Sequence, residues 1–342
     1  GDVNGSSYKY WLANTPFPGN HDDYENPCIL VSNNLTNDSW SEPADNYWDT
    51  NPITDWVWND GGSGGHYSDC DIVYNDDTDE LYYYFRNSSG SGGGWKRVEL
   101  MKSSDGVNWT WVSQNVNVST PASSEVYDLS PAVVKQGDVW HMWIVNSSKS
   151  PNVIEHWTSS NGTWFEFDCV WNPSFVNGSF QPWHVEVNRY NDEYWGVVNE
   201  QPNGNLYLIK SSDGCNWTAY GDSILSTSSS GWDSSYLYRS TYLIEDNHFE
   251  MVYVGVGNEG HHIAYTDNKS VVGSGVSSNV IEGIAPEEPQ INNPTPSNGE
   301  SYLDFNPLLS IDVIDYQGEE LNVSFMTNES GNWQQIGSFQ SG

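Results

Sequence analysis

Apolar and polar positions alternate with a period of two along most of the first 270 residues, and helical periodicity is nearly absent. Asn, Asp, Gly and Ser separate these alternating runs, as expected for strands joined by tight turns. Clear examples are residues 82–85, 140–145, 194–198 and 249–254. The pattern predicts an all-β chain.

A phrase of the type Ser-Ser-Asp-Gly-x-Asn-Trp-Thr recurs along the chain. Two copies are nearly identical and three are degenerate; they lie at residues 103–110, 211–218, 159–164, 32–40 and 265–268. Its chemistry is that of a turn, because Asp accepts backbone N–H bonds, Gly adopts the left-handed conformation and Trp packs onto the next strand. The copies recur roughly every 50 to 70 residues, the length of a four-stranded blade. The repeat therefore predicts a five-bladed β-propeller.

The repeat assigns strands to five blades. Blade one takes residues 8–15 and 27–32, blade two 68–117, blade three 129–170, blade four 184–220 and blade five 238–267. Blade one has no visible innermost strand, so either residues 276–281 close the ring or the missing strand precedes Gly1. The propeller is expected to span residues 1–283.

The composition changes after Gly283. Residues 284–299 are rich in proline and predict a stiff linker. Beyond it, residues 308–314, 321–326 and 334–339 alternate like the strands of a sandwich. Residues 300–342 therefore predict an immunoglobulin-like β-domain, and one that is incomplete because such a domain has about 100 residues.

The charge balance limits the partners. Eleven Lys and Arg stand against 46 Asp and Glu, which gives a formal net charge of -35 and makes nucleic acid and anionic membranes poor partners. The 18 Trp and 21 Tyr indicate a folded acidic protein rather than a disordered tail. No apolar run is long enough to span a membrane. Frequent Asn-x-Ser/Thr sequons favour an extracellular or cell-surface glycoprotein, and the start at Gly1 is interpreted as that of a mature or trimmed fragment.

The four cysteines show no CxxC spacing, which argues against a metal site. An even number in an extracellular protein favours two disulfides. The preferred pairing is Cys28–Cys70 with Cys169–Cys215, although the sequence leaves the other pairings open. Residues 75–80 form an acidic turn that offers oxygen ligands for Ca²⁺, but they lack the spacing of an EF-hand loop, and a solvated hairpin tip is favoured. No other cofactor is expected.

Candidate site residues come from the loops that enter the innermost strands, because these loops converge around a propeller axis. They combine carboxylates, cations and aromatic rings, the mixture that a sugar site requires. The candidate catalytic residues are Asp69, Asp128 and Glu186, and the candidate substrate-binding residues are Glu25, Arg86, Trp183, His184, Tyr238 and Arg239. Each also has a structural interpretation: Asp69 and Asp128 could cap turns, and His184 could bond a neighbouring blade. Arg239 is expected to pair with a carboxylate, either of the protein or of an acidic sugar.

The chain resembles a known enzyme group over roughly residues 8–270. The five-fold layout, with phrases at residues 24–27, 68–74, 130–134, 183–184 and 238–240, is similar to the five-bladed glycoside hydrolases of families 43, 32 and 62. The resemblance implies three carboxylates: a base or nucleophile, a second that orients it, and an acid. By position, Asp69 or Asp71 matches the second and Asp128 or Glu125 the third. The first belongs on the strand that blade one lacks, where Glu25 or Glu186 would have to substitute.

Two functions follow. The first is a glycoside hydrolase-like propeller that acts on or binds an extracellular polysaccharide at its axis. The alternative is a non-catalytic cell-surface or appendage protein, or adhesin, that uses the propeller as a glycan-binding or scaffold module. Under either interpretation the partners are glycans or further copies and domains of a surface assembly.

Overall fold

The computed structural model describes residues 3, 8–17, 25–35, 40–43, 51–54, 65–88, 96–113, 116, 128–173, 180–201, 204–245, 248–258, 260–267, 290–295, 310–314, 322–327 and 334–340. Within these ranges the regular structure consists of 21 strands, and no helix there is long and apolar enough to cross a membrane. The chain divides into two compact units, residues 1–243 with 250–280 and residues 244–249 with 281–342. The all-β prediction is confirmed.

The first unit has a β-propeller arrangement of successive sheets, each formed by strands adjacent in sequence. Blade two contains β3 (His66–Asn75), β4 (Glu80–Ser88), β5 (Lys96–Ser103) and β6 (Thr110–Ser113). Blade three contains β7 (Asp128–Gln136), β8 (Val139–Asn146), β9 (Val153–Ser159) and β10 (Glu166–Trp171). Blade four contains β11 (Gln181–Tyr190), β12 (Glu193–Gln201), β13 (Leu206–Ser211) and β14 (Thr218–Leu225). Blade five contains β15 (Tyr236–Glu245), β16 (His248–Gly257) and β17 (Gly260–Asp267).

The described residues form four blades rather than the predicted five. At the place of blade one, β1 (Tyr10–Asn14) pairs antiparallel with β2 (Cys28–Ser32), and Val31 forms one further bridge to Ser41. Residues 276–281, the segment predicted to close the ring, lie outside the described part of the chain. The alternating pattern of β1 and β2 was counted as a fifth blade, but these two strands alone do not form a four-stranded blade.

Apolar layers between neighbouring sheets hold the first unit together. Tyr83, Tyr84 and Phe85 on β4 are fully buried, and they face layers on both sides of blade two. Trp143 on β8 packs with Val185 and Val198 of blade four in the next layer. Each large side chain buried in this way stabilises the fold by roughly 2 kcal/mol.

The repeated phrase forms the same turn in each well-preserved copy. In the turn at residues 211–218, Asp213 Oδ1 accepts from the backbone N–H groups of Cys215 and Asn216, and Trp217 Nε1 donates to the Gly214 carbonyl. Gly214 has φ of +77°, and a Cβ there would lie 2.9 Å from the ring of Trp143 in blade three. The glycine thus provides both the left-handed backbone and the close approach of the preceding blade. The predicted turn chemistry is confirmed.

The second unit contains two hairpins. β18 (Gln290–Thr295) pairs with β19 (Ser310–Ile314), and β20 (Asn322–Thr327) pairs with β21 (Gln334–Gln340). β18 lies inside the segment predicted as a linker, and a register shift precedes Thr295 because Pro294 cannot donate to the ladder. The immunoglobulin-like domain stays a prediction.

One of the two predicted disulfides forms. Cys169 and Cys215 are bonded, whereas Cys28 and Cys70 are free thiols, so the Cys28–Cys70 prediction is wrong for this structure. The Tyr83 hydroxyl lies between the two thiol residues: it donates to the Cys28 carbonyl and hydrogen-bonds to the Cys70 side chain. Burial raises the pKa of both thiols to about 12, which disfavours the thiolate needed for disulfide exchange.

Candidate functional site

Three innermost strands carry a β-bulge near the end at which they enter the propeller. The register shifts between Ser68 and Asp71 in β3, between Leu129 and Ala132 in β7, and between Pro182 and His184 in β11. A bulge places an extra residue in one strand and redirects the neighbouring side chains. At two of the bulges a non-glycine residue has positive φ, Asp69 at +50° and Ser130 at +52°. Such backbone is costly for these residue types and persists where the surroundings enforce it.

The bulges bring charged side chains of blades two, four and five together. We call Asp69, Asp71, Arg86, Ser130, His184, Glu186 and Arg239 the hub cluster. Asp69 Oδ2 lies 2.9 Å from Arg86 Nη1, and Asp69 Oδ1 lies 3.6 Å from His184 Nδ1 and 3.8 Å from Arg239 Nη1. Arg239 Nη2 is also 4.0 Å from Glu186 Oε2. Buried charges of this kind persist only when they are paired.

Asp69 is the permanently ionised carboxylate of the hub cluster. Burial opposes its ionisation, but the charges of Arg86, His184 and Arg239 outweigh that effect and hold its pKa at about 2. Because both oxygens face cations, Asp69 fixes the two guanidinium groups in place.

Asp71 and Glu186 are in the opposite electrostatic state. Burial raises the pKa of Asp71 to about 6, although the backbone N–H of Val133 at 2.6 Å and the charge of Arg239 partly oppose the shift. Burial and the charge of Asp71 raise the pKa of Glu186 well above its usual range. The two carboxyls occupy corresponding positions, counted back from the ends of β3 and β11, so they face the same axis. Near neutral pH Asp71 is then mostly ionised, and beside its charge Glu186 holds its proton to higher pH than an ordinary glutamate.

Ser130 and His184 form a hydrogen-bonded pair beside Asp69. The Ser130 hydroxyl contacts His184 Nδ1, the same ring nitrogen that faces Asp69. A Ser-His-Asp triad instead uses the two ring nitrogens for different partners, so this arrangement does not activate Ser130 as a nucleophile. His184 Nε2 and Arg86 Nε are buried and have no hydrogen-bond partner among the described residues. Burial lowers the pKa of His184 to about 3, so the ring is neutral.

Aromatic rings line one side of the hub cluster. Tyr238 packs edge-on against His184 at 4.2 Å between centroids, and it also contacts Tyr236 and His261. The Trp183 side chain donates to the Tyr238 hydroxyl, whose pKa is raised by burial.

The structure brings together most of the residues that the sequence singled out. Asp69, Arg86, His184, Glu186 and Arg239 belong to the hub cluster, and Trp183 and Tyr238 adjoin it. Glu25 lies 3.7 Å from His66 at the start of β3, and its charge reaches Tyr238. Asp128 opens β7 opposite Asn146, but its side chain lies outside the described part of the chain, as does Glu125. The catalytic and binding roles stay predictions.

Two residues of the cluster are not among the candidate site residues chosen from the sequence. Ser130 lies in one of the phrases that carry the resemblance but is given no role there; the signal that could have identified it is a serine before proline at the position matching Asp69. Asp71 was an alternative to Asp69, and only the bulge shows that both of these residues serve the hub.

One group of side chains outside the hub cluster offers possible metal ligands. Of the described residues, His156, Asp168, Cys169 and Cys215 place ligand atoms within 4.8 Å of one another, and the hub cluster does not. The acidic turn between β3 and β4 faces a cation of the protein instead: Lys135 Nζ lies 2.6 Å from Asp76 and 2.9 Å from Asp77.

Comparison with solved structures identifies the fold. The chain is similar to an N-acetylgalactosamine deacetylase from F. plautii, crystallised in complex with blood group B trisaccharide, with 23% identity and a TM-score of 0.67 over 81% of this chain and 88% of that chain. It is also similar to a glycoside hydrolase, with 15% identity and a TM-score of 0.53 over 80% of this chain and 93% of that one. A family 32 β-fructofuranosidase of Bombyx mori gives 14% identity and a TM-score of 0.51 over 76% of this chain and 58% of that one.

No protein-family model matches the sequence, and no curated protein matches it. The likenesses therefore show the β-propeller fold, and glycoside hydrolases are among the structures that share it.

Proposed function

We propose that the hub cluster is the active site of a carbohydrate-active hydrolase that cleaves a glycan by general acid–base chemistry. The observation that carries the proposal is the division of its three carboxylates. The pKa of Asp69 is held at about 2, whereas that of Asp71 is raised to about 6 and that of Glu186 is raised well above its usual range. Environments that push the pKa values of neighbouring carboxyls apart are typical of glycosidase sites.

Each residue type then has a chemical task. Glu186, as the group with the strongly raised pKa, protonates the leaving oxygen. Asp71 in its ionised form either activates the attacking water as a base or attacks the sugar carbon itself as a nucleophile. Asp69 holds Arg86 and Arg239 in place. The unpartnered His184 Nε2 and Arg86 Nε are available to sugar hydroxyls, while Trp183 and Tyr238 supply ring faces. Glu25 and Asp128 would contact the substrate from the neighbouring loops.

Removal of an acyl group from an amino sugar is the second candidate reaction. Its support is the likeness to the N-acetylgalactosamine deacetylase, which covers 88% of that chain. The same cluster suits this chemistry, because a carboxylate could activate water while the Arg239 cation stabilises the oxyanion of the tetrahedral intermediate.

The proposal also covers the number of blades and the compartment in which the protein acts. We take the sheet of β1 and β2 as the described part of a fifth blade, and the Cys169–Cys215 disulfide favours an extracellular site of action on polysaccharide. A purely structural or adhesive role would not explain why the pKa values of the hub carboxyls lie so far apart.

Incubation with oligosaccharides that contain acetamido sugars tests the proposal, with reducing ends and released acetate measured in parallel. Reducing ends support glycoside cleavage, and acetate without reducing ends supports deacylation. Asp71→Asn and Glu186→Gln are each expected to reduce the rate roughly 100-fold or more.

Glu99→Gln is the matched control. Glu99 on β5 is buried, has a pKa raised by burial and pairs with Arg97 at 2.6 Å, but it lies outside the hub cluster. Its variant should retain activity. Release of neither product, or equal losses in all three variants, would contradict the proposed site.

A further inference from the structure

A second group of reactive side chains lies away from the hub cluster, where blade three meets the repeated turn of blade four. His156 lies on β9, Asp168 and Cys169 on β10, and Cys215 in the turn at residues 211–218. A bulge between Phe167 and Cys169 makes Asp168 the extra residue of β10, so that Asp168 and Cys169 both reach His156. Cys215 stands where the copy of the phrase in blade two has Val107.

The distances from His156 and Asp168 to the two sulfurs correspond to those of a tetrahedral zinc site, whereas the two sulfurs are bonded to each other and must separate to about 3.8 Å on reduction to join it. With usual bond lengths to Zn²⁺, nitrogen and sulfur ligands lie about 3.6 Å apart and oxygen and sulfur about 3.5 Å apart. His156 Nδ1 lies 3.6 Å from the sulfur of Cys169 and 3.6 Å from that of Cys215. Asp168 Oδ2 lies 3.5 Å from the Cys215 sulfur and 3.0 Å from His156 Nδ1.

One order of the hydrogen bonds around His156 leaves its facing nitrogen without a proton. The Tyr194 hydroxyl donates to Gln136 Oε1, so its oxygen accepts from His141 Nε2 at 3.2 Å. His141 Nδ1 is then the acceptor for His156 Nε2 at 3.0 Å. Stacking of His156 on Trp143 fixes the plane of the ring. In this order the lone pair of His156 Nδ1 lies on the side of Asp168 and the two cysteines, as a metal-binding nitrogen requires. A neutral imidazole whose other nitrogen donates a hydrogen bond is the state in which histidine binds metals.

We propose that reduction of the Cys169–Cys215 disulfide converts this group into a binding site for Zn²⁺, with His156, Asp168, Cys169 and Cys215 as its ligands. The disulfide and the metal are then mutually exclusive links between blades three and four. In the reduction each sulfur gains one hydrogen, and a dithiol or phosphine reductant is oxidised by two electrons. Binding of the metal releases both thiol protons, because the thiolate is the ligand.

Titration of the whole chain with Co²⁺, before and after reduction by a phosphine, tests the site. A phosphine takes oxygen from water to become its oxide and leaves two thiols. The reduced protein should bind one Co²⁺ with a thiolate-to-metal charge-transfer band and the intense visible bands of tetrahedral cobalt, and Zn²⁺ should displace it. The oxidised protein should show no such bands.

Variants separate this site from the other thiols of the chain. Asp168→Asn and His156→Gln should weaken Co²⁺ binding at least about 10-fold. Cys28→Ser with Cys70→Ser is the matched control and should leave the bands unchanged, because this thiol pair has no place in the site. Loss of the bands in the control, or their absence from the reduced wild-type protein, would overturn the proposal.

Near-ultraviolet circular dichroism covers the case in which reduction loosens the fold, because Trp143 lies against His156. A signal that is lost on reduction and restored by Zn²⁺ would support the site. A signal that is lost and not restored by Zn²⁺ would refute it.

Discussion

The repeated turns and the hub cluster are built on opposite principles. The turns at residues 103–110 and 211–218 repeat the same bonds: in both, Ser Oγ accepts from the Gly N–H, Asp Oδ1 accepts from two N–H groups, and Trp Nε1 donates to the Gly carbonyl. Around the hub cluster, by contrast, the bulged positions of β3, β7 and β11 carry Asp69, Ser130 and Trp183, which have no chemistry in common.

This difference shows how a repeat protein separates stability from function. A turn that joins neighbouring blades must meet the same geometry at every joint, so its residues are repeated. A binding site at the axis needs a different group on each side of its ligand, so its residues differ from blade to blade. The candidate site therefore lies where corresponding positions of the blades carry different residues.

The largest expected effect on stability is at the centre of the hub cluster. Asp69→Asn removes the charge that both Arg86 and Arg239 face and leaves buried cations without their main partner. We expect the free energy of unfolding to fall by about 4 kcal/mol. Urea denaturation at neutral pH measures the loss.

The same substitution in a repeated turn is the control for that effect. Asp213 is exposed, and its neighbours can bond to water, so Asp213→Asn should cost about 1 kcal/mol. Equal losses at Asp69 and Asp213 would remove the contrast between the two regions.

A somewhat smaller loss is expected where a turn touches the preceding blade. Gly214→Ala places a methyl group 2.9 Å from the Trp143 ring and also strains a backbone with φ of +77°. Strain and overpacking together should reduce the free energy of unfolding by about 3 kcal/mol.

Gly137→Ala isolates the strain. Gly137 has φ of +55°, but a Cβ there would have no atom within 4 Å, so the loss should be about 1 kcal/mol. If denaturation shows the two alanine variants to be equally stable, close packing is not what these turns contribute.

The last expected effect is a pH dependence that belongs to the hub cluster. Native Asp71 has a pKa of about 6 against 3.8 for the ordinary group, so the native state binds more protons than the unfolded state between these values. Its stabilising contribution is complete below about pH 4 and is lost as the pH rises through about 6, at no more than about 1.4 kcal/mol per pH unit.

Denaturation midpoints of the wild-type protein and Asp71→Asn across this range measure the contribution. The variant should lose less stability than the wild-type protein as the pH rises. The opposite sign would mean that Asp71 is stabilised in its charged form.

The sequence by itself determined the all-β class and the turns, and it favoured the Cys169–Cys215 bond among pairings that it left open. Period-two alternation and the Asp-Gly-x-Asn-Trp phrase depend on local backbone chemistry, which neighbouring residues in the chain already specify. It also identified most members of the hub cluster, because charged residues beside aromatic rings at the starts of inner strands are unusual.

The tertiary structure alone decided the rest. The division of roles among Asp69, Asp71 and Glu186 depends on bulges and on cations supplied by other blades, which alternation cannot reveal. Only the structure shows that Cys28 and Cys70 are free and that the Tyr83 hydroxyl of β4 donates to the Cys28 carbonyl, and the grouping of His156 with Cys215 depends on contact between two blades. Burial and through-space charge set these properties, and both arise only when segments distant in sequence meet.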